Sequence, residues 1–227
     1  MPISTPVPLY EGGRYGYTVM GGLGFHVLDL QDPANPKAVG SVDLPVNVGG
    51  VEGDNIDVTR VQSRGIVLAN GYPMNEDCYE PYKDIFVIDV KTPEAPEIIS
   101  VLPRPTPPAE APYTDFCQRR GKFGPKRPSP FFAPGQADDN LAIYPFNNAG
   151  VQVFDISDPK NAEIVAYFTP PMTDDLDDPR SYITPVESIF VEWDRNLIWA
   201  MANSGMYLLT SDALGTPQFD LAGIAGN

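Results

Sequence analysis

The sequence predicts an all-β protein: a β-propeller segment of about four four-stranded blades, the first incomplete, in a single domain spanning residues 1–227. Three observations predict it. A unit of apolar run, Asp, turn and second apolar run recurs along the chain. Turn-forming residues, 26 Pro and 20 Gly, are spread through the sequence rather than clustered. No segment sustains an apolar period of 3.6, so a helical solenoid fails.

The repeat is clearest in "GFHVLDLQDPANPKAVGSVDLP" (Gly24 to Pro45), "DIFVIDVKTPEAPEIISVLPRP" (Asp84 to Pro105) and "GVQVFDISDPKNAEIVAYFTPP" (Gly150 to Pro171). Each first run ends on an Asp: Asp29, Asp89 and Asp155. A turn follows at Asp32-Pro33, Thr92-Pro93 and Asp158-Pro159, because Pro presets turn geometry and cannot extend a strand ladder. A weaker fourth copy runs from Gly205 to Gly223.

Another strand pair precedes each hairpin. In "ESIFVEWDRNLIWAMANSG" the turn is "DRN", and "IDVTRVQSRGIVLANG" has the same form around "SRG". Four strands per unit of about 55–65 residues suit a propeller and place the blades at about 8–48, 49–110, 111–172 and 180–227. An immunoglobulin-type sandwich leaves the repeated turns unexplained. Too little chain precedes "RYGYTVMGG" for an inner strand in the first unit, so Tyr15, Tyr17 and Val19 are expected beside an open edge. At the other end, the strands around Ile198 and Leu208 face no following blade. A larger closed propeller or an oligomer is therefore expected, because exposed edges and faces are normally covered; the alternative is a self-closed four-bladed ring, with the tail after Phe219 pairing into the first blade.

A formal charge of −15 argues against nucleic acid and anionic membranes as partners. No run approaches the roughly 20 apolar residues that span a bilayer. The stretch "MPISTPVPLYEGG" has neither the basic start nor the apolar run of a secretory signal, so a cytoplasmic location is expected. The two cysteines, Cys78 and Cys117, flank the second unit's outer hairpin and are expected to lie near one another; they either form one bridge in an oxidising compartment or stay as reduced, partly buried thiols, and the composition leans to the thiols.

The candidate chemistry is sparse. The chain has one histidine, His26, where sister repeats carry Phe86 and Gln152. A Ser-His-Asp triad, a Cys-His dyad and a paired-histidine zinc site are thereby excluded. No phosphate-cradling glycine motif occurs, and neither cofactor nor metal is expected. Asp54, Asp57 and Glu187 sit near the starts of innermost strands, where side chains converge on a propeller channel; they are the candidate catalytic carboxylates, with strand-end pairing as the plainer reading. The acidic loop "MTDDLDDPR" (Met172 to Arg180) lacks calcium-loop spacing and reads as solvated. "QADDN" reads as a plain hairpin turn, and Glu76 and Asp77 lie on a long hairpin loop.

The oddest stretch is "FCQRRGKFGPKRP" (Phe116 to Pro128), which gathers Arg119, Arg120, Lys122, Lys126 and Arg127 in an acidic chain. One reading is a clamp for an anion or carboxylate substrate. The plainer one is a loop paired with the acidic remainder or with an acidic partner.

"GVQVFDISDPKNAEIVAYF" resembles the LVIVD repeat of bacterial β-propeller proteins, and "APYTDFCQRRGKFGP" followed by "NAGVQVFDISDP" is similar to one bacterial subgroup of that family. In that subgroup the Gly-Arg-Phe-Gly-Pro run leads into His-Asn-x-His-Glu. This chain matches through Gly121, Phe123, Gly124 and Pro125, then departs with Lys126, Arg127, Pro128 and Ser129. The resemblance thus implies that a metal-binding strand is replaced here by residues that cannot serve as imidazole ligands. Two functions compete. One is a non-catalytic propeller subunit or interaction scaffold, assembling as a homo- or hetero-oligomer with another chain, such as a His-bearing metal-binding paralogue. The other is an enzyme acting on a small molecule in the channel with the carboxylates and the Arg/Lys cluster.

Overall fold

The computed structural model describes residues 13–19, 23–45, 55–75, 78–130, 133–171 and 185–219. Over these residues the chain is all-β, and helix is confined to one four-residue turn and two short 3-10 turns. Four antiparallel sheets follow one another in chain order. The first holds β1 (Tyr15–Val19), β2 (Phe25–Asp29) and β3 (Lys37–Val42). The second holds β4 (Ile56–Asp57), β5 (Ile66–Asn70), β6 (Ile85–Asp89) and β7 (Glu97–Val101). The third holds β8 (Leu141–Pro145), β9 (Val151–Asp155) and β10 (Glu163–Phe168). The fourth holds β11 (Val186–Glu192), β12 (Leu197–Ala202) and β13 (Gly205–Leu209). Among the described residues no sheet closes on itself.

The recurring Asp residues make the turns. Asp29 Oδ1 accepts the Gln31 N–H at 2.9 Å, Asp89 Oδ1 that of Lys91 at 2.9 Å, and Asp155 Oδ1 that of Ser157 at 2.8 Å. A carboxylate bonded to the backbone two residues on ends the strand and starts the turn. Asp32 and Asp158 repeat the device, accepting from Ala34 and Lys160 and holding the side chains of Asn35 and Asn161, each at 2.7 Å. Glycine is required at the opposite end of the hairpin. Gly24 (φ +82°) and Gly150 (φ +78°) occupy the same repeat position, and a Cβ there would meet Val42 O at 2.5 Å and Phe168 O at 1.9 Å.

The sheets stack face to face. Tyr17, Val19, Phe25 and Val27 pack on Val67, Ala69, Phe86 and Ile88 of the second sheet. The alternate residues of that sheet, Ile66, Leu68, Ile85 and Val87, pack on Ala142, Tyr144 and Phe154 of the third. Leu141, Ile143, Val151 and Val153 then pack on Ile189, Val191, Ile198 and Ala200 of the fourth. Period-two alternation of side chains buries both faces of the inner sheets. Each turn also abuts the outer strand before it: a Cβ on Gly40 would lie 2.1 Å from Pro93 O, and Ser100 Oγ donates to Pro159 O. Among the described residues no apolar cluster joins the first sheet to the fourth.

Four points differ from the sequence expectation. Among the described residues only the second sheet has four strands. The expected strand pair around Ser63-Arg64-Gly65 is cut short: β4 is two residues long and a helical turn, α1 (Val61–Arg64), follows. The cause is Asp57, whose Oδ1 accepts both the Thr59 N–H (2.9 Å) and its hydroxyl (2.5 Å), turning the chain out of the ladder. As expected, β1 is an edge strand of the first sheet among the described residues, and the side chains of Tyr17 and Val19, each 2% exposed, have their face covered by the second sheet. Ile198 faces the third sheet, and it is Met206 and Leu208 that point away from the stack. Finally, Cys78 and Cys117 are joined as a disulfide with Cα atoms 5.8 Å apart, where the composition leaned to thiols. The loop after β5 and the turn at Phe116–Arg119 bring the two together, the proximity expected from their places on either side of the second unit's outer hairpin.

Candidate functional site

The basic stretch runs along the inner edge of the third sheet, where a fourth strand would lie. Lys126 N donates to Pro145 O at 2.9 Å, and Phe123 bridges to Asn147. On its other side, Ser129 Oγ accepts from Val191 N of β11 at 2.9 Å. The segment is thus wedged between the third and fourth sheets, and Asn70 Nδ2 ties Lys126 O to the second at 3.3 Å. Pro125, Pro128 and Pro130 explain its irregular path, since each removes a ladder donor.

This placement sets two predicted candidates against each other. Lys126 Nζ is ion-paired with Glu187 and lies 5.7 Å from the Tyr72 ring centroid. Arg119 is only 4% exposed; its guanidinium donates to Tyr113 Oη at 3.0 Å and Pro170 O at 2.6 Å, and stacks over the Tyr113 ring. Arg120 and Lys122 hold Asn148 through their carbonyls, which accept from Asn148 Nδ2 and the Asn148 N–H. Arg127 is exposed. The side chains of Arg119 and Lys126 thus serve different partners. The disulfide at Cys117 and the Asp115 carboxylate, which accepts the Cys117 N–H at 2.8 Å, anchor the start of the segment.

A cleft of about 580 Å³ opens where the inner strands of three sheets converge, lined by Asp57, Ser63, Ser129, Asp139, Ile143 and Trp193 among others. Its carboxylates are committed. Asp57 Oδ2 takes Arg60 Nη1 at 2.6 Å, and Asp139 Oδ1 accepts from Ser63 Oγ at 2.6 Å. Arg60, 1% exposed, goes on to the carbonyls of Asp138 (2.9 Å), Asp139 (3.2 Å) and Leu141. Arg64 reaches the carbonyls of Asp139, Ile156 and Ser157. The two arginines fasten α1 of the second unit to the third, and "QADDN" is the acceptor of that latch as well as a turn. The sequence reading missed both; the spacing of Asp57 and Arg60, three apart, is the one local hint.

Asp54, Glu76, Asp77 and the acidic loop 172–180 lie outside the described residues. Among the described residues no group of three or more His, Cys, Asp or Glu is placed to hold a metal ion. His26 Nε2 lies 2.9 Å from Leu23 O on the first sheet. The shifted ionisations belong to structure: the Arg14 guanidinium, helped by the Gln31 N–H, holds Asp29 down to about 2, and burial pushes the Tyr144 hydroxyl well above its ordinary range. No helix among the described residues is long and apolar enough to cross a membrane. No family model matches the chain, and no curated protein matches it.

Proposed function

We propose that the chain is a non-catalytic subunit of a β-propeller of the LVIVD-repeat type, and that it works in assembly with another chain. The observation that carries this reading is the far face of the fourth sheet. Met206 and Leu208 are 67% and 41% exposed. Counting from the repeat glycine or Asp, their equivalents are Phe25 and Val27, Ile85 and Val87, and Val151 and Val153, all between 0% and 2% exposed. In three units these positions are buried by the next sheet, and in the fourth nothing described covers them.

The commitment of Asp57, Glu187, Arg119 and Lys126 to internal partners supports a non-catalytic role. The cleft favours the alternative, a channel enzyme, but its described carboxylates are already held by Arg60 and Ser63. The disulfide favours an oxidising compartment over the cytoplasm. Native mass spectrometry of the tagged chain recovered from its own host tests the proposal. Assembly with a second copy or a related chain is expected; recovery as a lone 24.7 kDa chain overturns it.

A further inference from the structure

Resting on the assembling-subunit reading, we infer that the partner is a second copy of this chain, packed on the far face of the fourth sheet about a two-fold axis. That face carries two cross-strand rows, Ser188–Met201–Met206 and Phe190–Trp199–Leu208. At 47%, 67% and 41% exposure, Met201, Met206 and Leu208 form its open part. The neighbouring end is closed: Leu197 is 1% exposed, Trp199 Nε1 donates to Glu192 Oε1 at 2.8 Å, and Asn196 Nδ2 donates to Thr216 O at 2.9 Å.

The choice of a like face follows from what the other end of the stack offers. The far face of the first sheet carries the rows Thr18–His26–Ser41 and Gly16–Leu28–Ala38, small or polar apart from Leu28. Thr18 is 0% exposed, so part of this face is already covered. Head-to-tail assembly needs two complementary surfaces, whereas one self-matching surface closes through a two-fold axis. Charge points the same way. Neither open row contains an ionisable side chain, in a chain of net charge −15, so this is where two copies approach with least repulsion. The contact is again sheet on sheet, but like face on like face in place of the head-to-tail order that recurs three times within the chain.

The test is sedimentation velocity on the purified full-length chain over a range of concentrations and salt. A species of twice 24.7 kDa is expected, tightening as added salt screens the mutual charge. Glu at both Met206 and Leu208 is expected to weaken the dimer by roughly a hundredfold, with circular dichroism and thermal transition kept because both side chains are exposed. Ser41→Glu, on the far face of the first sheet, is expected to leave the dimer intact. A wild-type monomer, higher oligomers dissolved by Ser41→Glu, or a dimer indifferent to Met206→Glu/Leu208→Glu each overturns the inference. A purified monomer that is found bound to a different chain in its host sinks the self-association alone and leaves the assembling-subunit reading standing; a monomer in both settings sinks both.

Discussion

Arg60 illustrates how a single side chain joins two units. Its guanidinium is desolvated, and it donates to Asp57, to the Thr59 hydroxyl and to three carbonyls of the third unit. Replacing Arg60 by Met keeps the aliphatic stem but leaves the Asp57 carboxylate without its buried cation and removes the guanidinium bonds to the third unit. A loss of about 3 kcal/mol or more is expected in urea unfolding, because breaking a buried pair leaves the remaining charge unsatisfied. Tyr144 gives the opposite sign. Its hydroxyl is buried and has no hydrogen-bond partner among the described residues, so Tyr144→Phe removes a desolvated group without breaking a described bond. Equal or higher stability, by up to about 1 kcal/mol, is expected in the same measurement. Neither residue was legible as a determinant in the sequence: the acceptors of Arg60 are backbone atoms 78 to 81 residues away, and backbone atoms leave no residue signature.

At the level of elements, the hairpins were legible because their turns are made by local chemistry. Asp29, Asp89 and Asp155 each bond the amide two residues on, so strand end and turn are written within a few positions. The β4–α1 segment was not legible, since an apolar "IDV…V" pattern reads as strand until the Asp57 turn and the reach of Arg60 and Arg64 override it. The inner edge of the third sheet was hidden for a related reason, as a proline-interrupted segment holds a strand position without strand periodicity. The same turn carboxylates predict a pH dependence. Arg14 and the Gln31 amide lower Asp29, and the Ser157 amide lowers Asp155; burial raises Asp89, but the Lys91 amide and ammonium outweigh it. Because their folded-state values lie below the unfolded ones, they add stability that is complete above about pH 4 and is lost as pH falls toward about 2. Thermal melts between pH 5 and 2 are expected to show a falling acid limb, flatter in Asp29→Asn and Asp155→Asn.

Across the whole molecule, the disulfide closes a sequence separation of 39 residues and fixes the start of the inner-edge segment against the second unit. Loop-closure entropy puts its contribution at about 4 kcal/mol. Reduction, or replacing both cysteines by serine, is expected to lower the urea midpoint accordingly while leaving far-UV circular dichroism at room temperature unchanged, since the four sheets hold their own ladders.

The seating of each turn on the outer strand of the previous sheet, seen at Gly40 against Pro93 and at Ser100 on Pro159, makes the molecule a chain of nearest-neighbour couplings. Such an array behaves as a one-dimensional lattice, in which a unit with two neighbours melts later than a unit with one. Amide exchange therefore ought to be slowest in β5, β6, β8 and β9, and to quicken toward β2 and β13 at the ends of the row. A growing lineage can lengthen or shorten such a row by whole units, because every internal seam repeats the one before it.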